Sequence, residues 1–232
     1  MQDDRQRGTL LGVSAYLIWG VAALYWIQTE PVSSIDVLAH RAFWSLPFVF
    51  LCLAVAGGGR LRRVLACCRQ PRIMAVMAWA AFFGASNWGL FLWAVTHERA
   101  TEASLGYFLL PLVNVLIGLT LFGESIDRAQ KLGVAFAVAA VLLQLVYFGG
   151  LPLLGLGMAL CFGLYGAIRK KVSVESMEGL FLETLIMAPF ALAWLWYRDG
   201  AGLGLHGIKA VSYTHLRAHE TTSHISYAVV GW

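Results

Sequence analysis

The chain has 232 residues, of which 59% are hydrophobic and 13% charged, about half the charged fraction usual in a soluble domain. Its 17 Lys and Arg and 13 Asp and Glu, net +4, cannot solvate a globule of this size, which excludes an ordinary cytosolic enzyme, a nucleic-acid reader and a disordered chain. What remains is a protein whose solvent is mostly lipid. Cys52, Cys67, Cys68 and Cys161 form no paired framework and no CxxC spacing, so neither disulfides nor a zinc site are expected.

Arg7 and Glu30 bracket 22 uncharged residues, about 30 Å of helix and one hydrocarbon thickness. The run is too long for a typical signal-peptide core, and another follows closely. The second run, 42–59, starts just after His40 and Arg41. The third lies between Arg72 and Glu98, and the fourth between Glu102 and Glu124. Lys131 and Arg169 bracket 37 uncharged residues, too many for one span, and Gly149-Gly150-Leu151-Pro152 divides them with a turn. The last run, about 179–197, carries Glu183. The expectation is seven membrane-spanning helices.

Charge orients them. One set of connectors holds Arg5 and Arg7, then Arg60, Arg62, Arg63, Arg69 and Arg72, then Arg128 and Lys131, then Arg169, Lys170 and Lys171; the opposite set holds only Arg41, Arg99 and Arg198. That bias predicts a cytoplasmic N-terminus. Small residues recur every four positions at Ala81, Ala85 and Gly89, and at Gly155, Ala159, Gly163 and Ala167. Such stripes let helices approach closely and predict a compact bundle.

Polar groups inside a span ask for a reason. Asn87 and Asn114 both fall near mid-membrane, where they would line a polar site or hydrogen-bond neighbouring helices. Tyr107, Pro111, Asn114 and Gly118 share one helical face, and Pro111 frees a backbone carbonyl, so this face reads as a cavity wall or as a kinked packing face. Trp88 lies too deep for an interfacial belt and reads as cavity lining or core packing. Arg41 and Glu102 open their helices at the same end, where they would pair, or Arg41 would meet an anionic solute. Glu183, about one turn inside the last span, is a coupling group, a snorkelling acid or a partner for a hydroxyl. There is no GxxxxGK[ST] motif and no serine–histidine elbow or carboxylate cluster, which weighs against an ATP motor and an intramembrane hydrolase. No cofactor and no catalytic residue is expected.

Beyond about residue 208 the pattern changes. His215 and His219 stand four apart with Glu220 beside them, a spacing that differs from HExxH and does not read as a metal site. The string from Ser212 to Thr221 resembles translated sequencing-adapter read-through, so 209–232 is expected to be a non-native or disordered tail and the chain truncated.

The strings His40-Arg41-Ala42-Phe43-Trp44-Ser45, Asn87-Trp88-Gly89-Leu90-Phe91-Leu92-Trp93-Ala94-Val95 and Glu102-Ala103-Ser104-Leu105-Gly106-Tyr107-Phe108, with Pro111-Leu112-Val113-Asn114 and Gly123-Glu124, resemble the RarD, or chloramphenicol-sensitivity, group of EamA permeases in the drug/metabolite transporter superfamily. The resemblance covers about 7–208. It implies an all-α integral membrane protein, a polytopic helix bundle of ten helices in two inverted five-helix repeats, of which seven are present here. Residues 1–148 would be the first repeat and 149–208 part of the second. It also implies a secondary transporter of small organic solutes or drugs in the bacterial inner membrane, working by alternating access. Its partners would be the lipid bilayer, a small-molecule solute and a proton or other coupling ion, with no nucleic acid and the oligomeric state open. Arg41, Asn87, Trp88, Glu102, Tyr107, Pro111 and Asn114 are its motif positions. An intramembrane lipid-modifying enzyme and a non-transporting scaffold subunit are the alternatives.

Overall fold

The computed structural model describes residues 8–21 (except 16 and 19), 32–148 and 153–200. The adapter-like string and the His215–His219 pair lie outside the described residues, as do Arg5, Arg7 and the Gly149–Pro152 turn.

All of the described regular structure is helical. In chain order it comprises α1, seen over 8–21; α2, Ser34–Ala56; α3, Arg60–Cys68; α4, Pro71–Thr96; α5, Ala100–Leu121; α6, Arg128–Phe148; α7, Leu153–Lys170; and α8, Ser176–Gly200. Five of the described helices (α2, α4, α5, α7 and α8) are long and apolar enough to cross a membrane, against the seven expected; α1 and α6, at the other two expected positions, do not meet that measure over their described residues. Large apolar side chains cover the outside, among them Val55, Val146 and Trp196, each at least 80% exposed. Such a surface suits hydrocarbon and would be an aggregation hazard in water.

Two boundaries differ from expectation. α2 begins at Ser34, not at 42, so Arg41 does not open the helix but lies two turns inside it. The preceding Asp36 and His40 are tolerated there because they face protein: Asp36 is buried and accepts hydrogen bonds from Trp194 Nε1 and Arg198 Nη2, each at 2.7 Å. The second difference is α3, a short helix where the sequence predicts a charged connector. Gly57, Gly58 and Gly59 all take left-handed φ angles, which glycine adopts at no steric cost, and they turn the chain from α2 into α3. Val64 then packs with Val49 and Leu53 of α2, Met77 of α4 and Leu182 of α8. Arg63 binds Glu178, and Arg60 binds Glu175. The Glu178 bond raises the affinity of Arg63 for its proton.

The packing order is set by α7 and α8. α7 lies against α4 and α5, and α8 against α2 and α4. The α7 stripe is the packing face, with Gly155, Ala159, Gly163 and Ala167 all buried. α5 and α7 run parallel, crossing so closely that a Cβ added at Gly155 would sit 2.9 Å from both the Glu102 carbonyl oxygen and the Gly106 nitrogen. α4 runs antiparallel to α7, with Asn87 on Met158, Gly84 on Tyr165 and Met77 on Arg169. At one end of the bundle Ser34 and Thr96 share a 2.9 Å hydrogen bond. The other end gathers Arg60, Arg63 and Lys170 with Glu175, Glu178 and Glu124.

Candidate functional site

A narrow crevice, too tight in this state to hold a water molecule, runs where α4, α5 and α7 meet. It is lined by Asn87, Gly106, Tyr107, Leu110, Met158, Ala159 and Phe162. Gly106 and Gly155 bring α5 onto α7 at its edge, and Ala159 packs with Leu109 and Val113. Asn87 is buried, and its Nδ2 donates to the Met158 carbonyl oxygen at 3.0 Å. The amide therefore ties α4 to α7. Interhelical hydrogen bonds in membranes average about 0.6 kcal/mol and reach about 1.7. Asn87→Leu should therefore cost no more than roughly that in a thermal or chemical unfolding measurement in detergent. A larger loss would show that Asn87 holds the bundle rather than lines it.

From the crevice a row of edge-to-face aromatic contacts crosses the bundle from α5 over α4 toward α2. Tyr107 meets Phe91 at 6.4 Å between centroids, and Phe91 meets Trp88 at 5.8 Å. Beyond them the Arg41 guanidinium carbon lies 3.4 Å over the Trp88 ring. Trp88 is thus half-buried between α2 and α4, and Gly89 beside it meets Leu38 of α2. The sequence placed Trp88, Asn87 and Tyr107 separately; the structure joins them into one wall.

Other expected placements come apart. Arg41 and Glu102 do not pair. Glu102 binds Arg99, three residues earlier and in easy reach, through two hydrogen bonds of 2.6 and 2.7 Å. Asn87 and Asn114 do not share a level either: they meet α7 at Met158 and Gly163, five residues or about 7.5 Å apart along the axis. Asn114 and Pro111 are exposed among the described residues, whereas Gly118, on the same α5 face, is buried where Glu124 folds back over it. Glu124 reaches that position because Gly123 takes a left-handed φ and the Glu124 N–H bonds the Gly118 carbonyl.

A second polar cluster lies toward the α3 end. Glu183 of α8 is buried, with Arg169 Nε 3.5 Å from its Oε1 and the Tyr165 hydroxyl donating to its Oε2 at 3.4 Å. Arg169 also reaches Met77 of α4, and its guanidinium occupies the space that a side chain at Gly179 would fill. Sequence reasoning singled out Glu183 but missed Arg169 and Tyr165. The sequence reads Arg169 as a connector charge, but it stands four residues after Tyr165 and shares with it the side of α7 that meets Glu183. Among the described residues no group of His, Cys, Asp and Glu could hold a metal.

A bundle of apolar helices with polar and aromatic walls meeting between them is the form of a polytopic membrane protein. The family comparison is specific on this point: the model of the EamA-like transporter family matches residues 6–146, and the chain belongs to that family, in its RarD subfamily. It is 41% identical over 208 residues to "Protein RarD" of Salmonella typhi, covering 89% of this chain and 70% of that one. It is 40% identical over 199 residues to an "Uncharacterized transporter" of Vibrio cholerae, covering 85% and 65% respectively. A "Chloramphenicol-sensitive protein RarD" of Pseudomonas aeruginosa is 34% identical over 194 residues, 82% of this chain and 64% of that one. The chain thus spans about two thirds of the length of the curated relatives it matches.

Proposed function

We propose that the chain forms the larger part of a secondary carrier of small organic solutes in the bacterial inner membrane, with its N-terminus cytoplasmic and no enzymatic role. Residues 1–148 are the first five-helix repeat, 149–208 open a second of inverted topology within a ten-helix carrier, and 209–232 are a non-native or disordered tail. Transport is by alternating access, one repeat rocking against the other around the crevice. The observation that carries this reading is the make-up of the crevice: its walls come from α4 and α5 on one side of residue 149 and from α7 on the other. A site at a seam between repeats opens or closes when they rock. The grouping of Arg60, Arg63 and Lys170 at the α3 end supports the cytoplasmic assignment of that end.

Asn87, Trp88 and Tyr107 contact the solute. Pro111 and Asn114, uncovered by the described helices, face the part of the site that the remaining helices complete. Arg99–Glu102 is a gate pair at the rim. Glu183 carries a coupling proton, with Arg169 holding its place when the proton is absent.

The test is flux. The chain, completed with the C-terminal third of the Salmonella typhi relative, is reconstituted in proteoliposomes and offered a panel of labelled organic solutes. Counterflow of at least one solute is expected, reduced tenfold or more by Asn114→Leu, on the order of one lost polar contact in a dry site. No flux across the panel, with the protein folded, would end the carrier reading; unchanged flux in Asn114→Leu would remove Asn114 from the site.

A further inference from the structure

Among the described residues, Arg41 is a cation inside a membrane-spanning helix with no carboxylate paired to it. It lies two turns inside α2, about 10 Å from the Ser34 end. Its one contact among the described side-chain interactions is the face of Trp88. The nearest acid on its own helix, Asp36, is engaged by Trp194 and Arg198 of α8, and Glu102 at the same end is engaged by Arg99. His40 beside it has a buried Nδ1 with no hydrogen-bond partner, so this part of the interior holds a second polar atom without an acceptor or donor.

A cation inside a membrane bundle is costly unless paired, and two carboxylates close by are committed elsewhere. Stacking uses only the face of the guanidinium. Its in-plane N–H donors remain, in a fork that matches the two oxygens of a carboxylate. Next to the fork runs the Trp88, Phe91 and Tyr107 row that ends in the crevice.

We infer that Arg41, stacked on Trp88, is the anion-binding half of the solute site, and that the solute is a small carboxylate with a flat apolar body. The carboxylate takes the guanidinium edge, and the apolar body lies along Phe91 and Tyr107 toward the Asn87 crevice. This deepens the carrier reading and rests on it for the word solute. A lipid phosphate offers the same anionic oxygens, and the experiment separates the two sources.

The probes are phenylacetate and its neutral isostere phenylacetamide, titrated calorimetrically into the full chain in phosphatidylcholine nanodiscs. Phenylacetate should bind at least about tenfold more tightly, the order expected of a charge-assisted bidentate contact. Arg41→Gln should erase that preference. Arg41→Lys should keep part of it, having the charge without the fork. Trp88→Leu should weaken both probes. Equal affinity of the two probes for the unaltered chain overturns the inference without recourse to any variant, as does a preference that survives Arg41→Gln in folded protein. Adding phosphatidylglycerol to the nanodisc should leave phenylacetate binding unchanged; its loss there would assign Arg41 to lipid and overturn the solute. The two readings fail separately. Arg41-dependent phenylacetate binding with no flux in the completed carrier sinks transport and keeps the anion site. Equal flux of phenylacetate and phenylacetamide does the reverse.

Discussion

Gly155→Leu should yield no folded chain, and Gly155→Ala a visibly weaker one. The reason is that nothing opposite Gly155 can yield. An alanine Cβ there would lie 2.9 Å from the Glu102 carbonyl oxygen and from the Gly106 nitrogen, and one at Gly106 would lie 2.8 Å from the Gly155 carbonyl oxygen. All of these are backbone atoms of two helices, so relief requires moving α5 and α7 apart as bodies. In lipid no hydrophobic gain rewards their reunion at a larger spacing, because association there rests on close contact itself. Overpacking usually costs about 1–3 kcal/mol, and a leucine would add the loss of the dispersion contacts along the whole crossing. Gly166, on the same helix with nothing within 4 Å of an added Cβ, is the control. Alanine there should be neutral or stabilise slightly, since glycine inside a helix costs about 1 kcal/mol relative to alanine. Thermal unfolding and size-exclusion profiles in detergent read the difference. If Gly155→Ala melts with Gly166→Ala, the parallel α5–α7 crossing is not as close as described.

That crossing was half legible in the sequence. The four-residue spacing of Gly155, Ala159, Gly163 and Ala167 marks a packing face by itself, because only small residues at that period make a groove. Nothing local says which helix fills it, and Gly106 stands alone in α5 with no stripe of its own. The same split holds at the site. Asn87, Trp88, Tyr107 and Glu183 stand out because polar or aromatic groups in an apolar run need a reason. Their partners do not stand out: Asn87 bonds a backbone carbonyl 71 residues away, and Asp36 bonds side chains 158 and 162 residues away. The late start assigned to α2 has the same origin. Asp36, His40 and Arg41 look like the end of a connector when each residue is weighed against lipid, and become helix interior once α8 and α4 supply their surroundings. α3 carried a readable signal that its charges hid. Leu61, Val64 and Cys68 recur at i, i+3 and i+7, an apolar edge on an otherwise basic segment, and two of its arginines anchor it to Glu175 and Glu178.

Arg169→Leu should destabilise the chain more than Arg169→Leu combined with Glu183→Leu. The pair is shielded, its side chains only 16% and 12% exposed, and Glu183 Oε1 has no hydrogen bond even with Arg169 present. Removing the guanidinium leaves a buried carboxylate facing only the Tyr165 hydroxyl. Breaking one partner of a buried pair costs about 3–5 kcal/mol, and the low end applies here because the ions stand 3.5 Å apart and the hydroxyl remains. Replacing both by apolar residues removes the stranded charge and is often neutral or stabilising by about 1–4 kcal/mol. The expected outcome is therefore a strongly non-additive cycle, in which the second substitution rescues the first. Additive losses would mean that the two groups act on stability independently and that the 3.5 Å approach carries little energy. The rescued double variant then separates structure from function. It fills the space between Arg169 and Glu183 with apolar side chains and leaves the Tyr165 hydroxyl without its carboxylate partner. If, in the completed carrier, it moves solute at the original rate and with the original pH dependence, Glu183 is packing only. If it folds but no longer couples flux to a proton gradient, the buried acid is where the proton rides, and its arginine is the counterweight that makes the empty state tolerable in lipid.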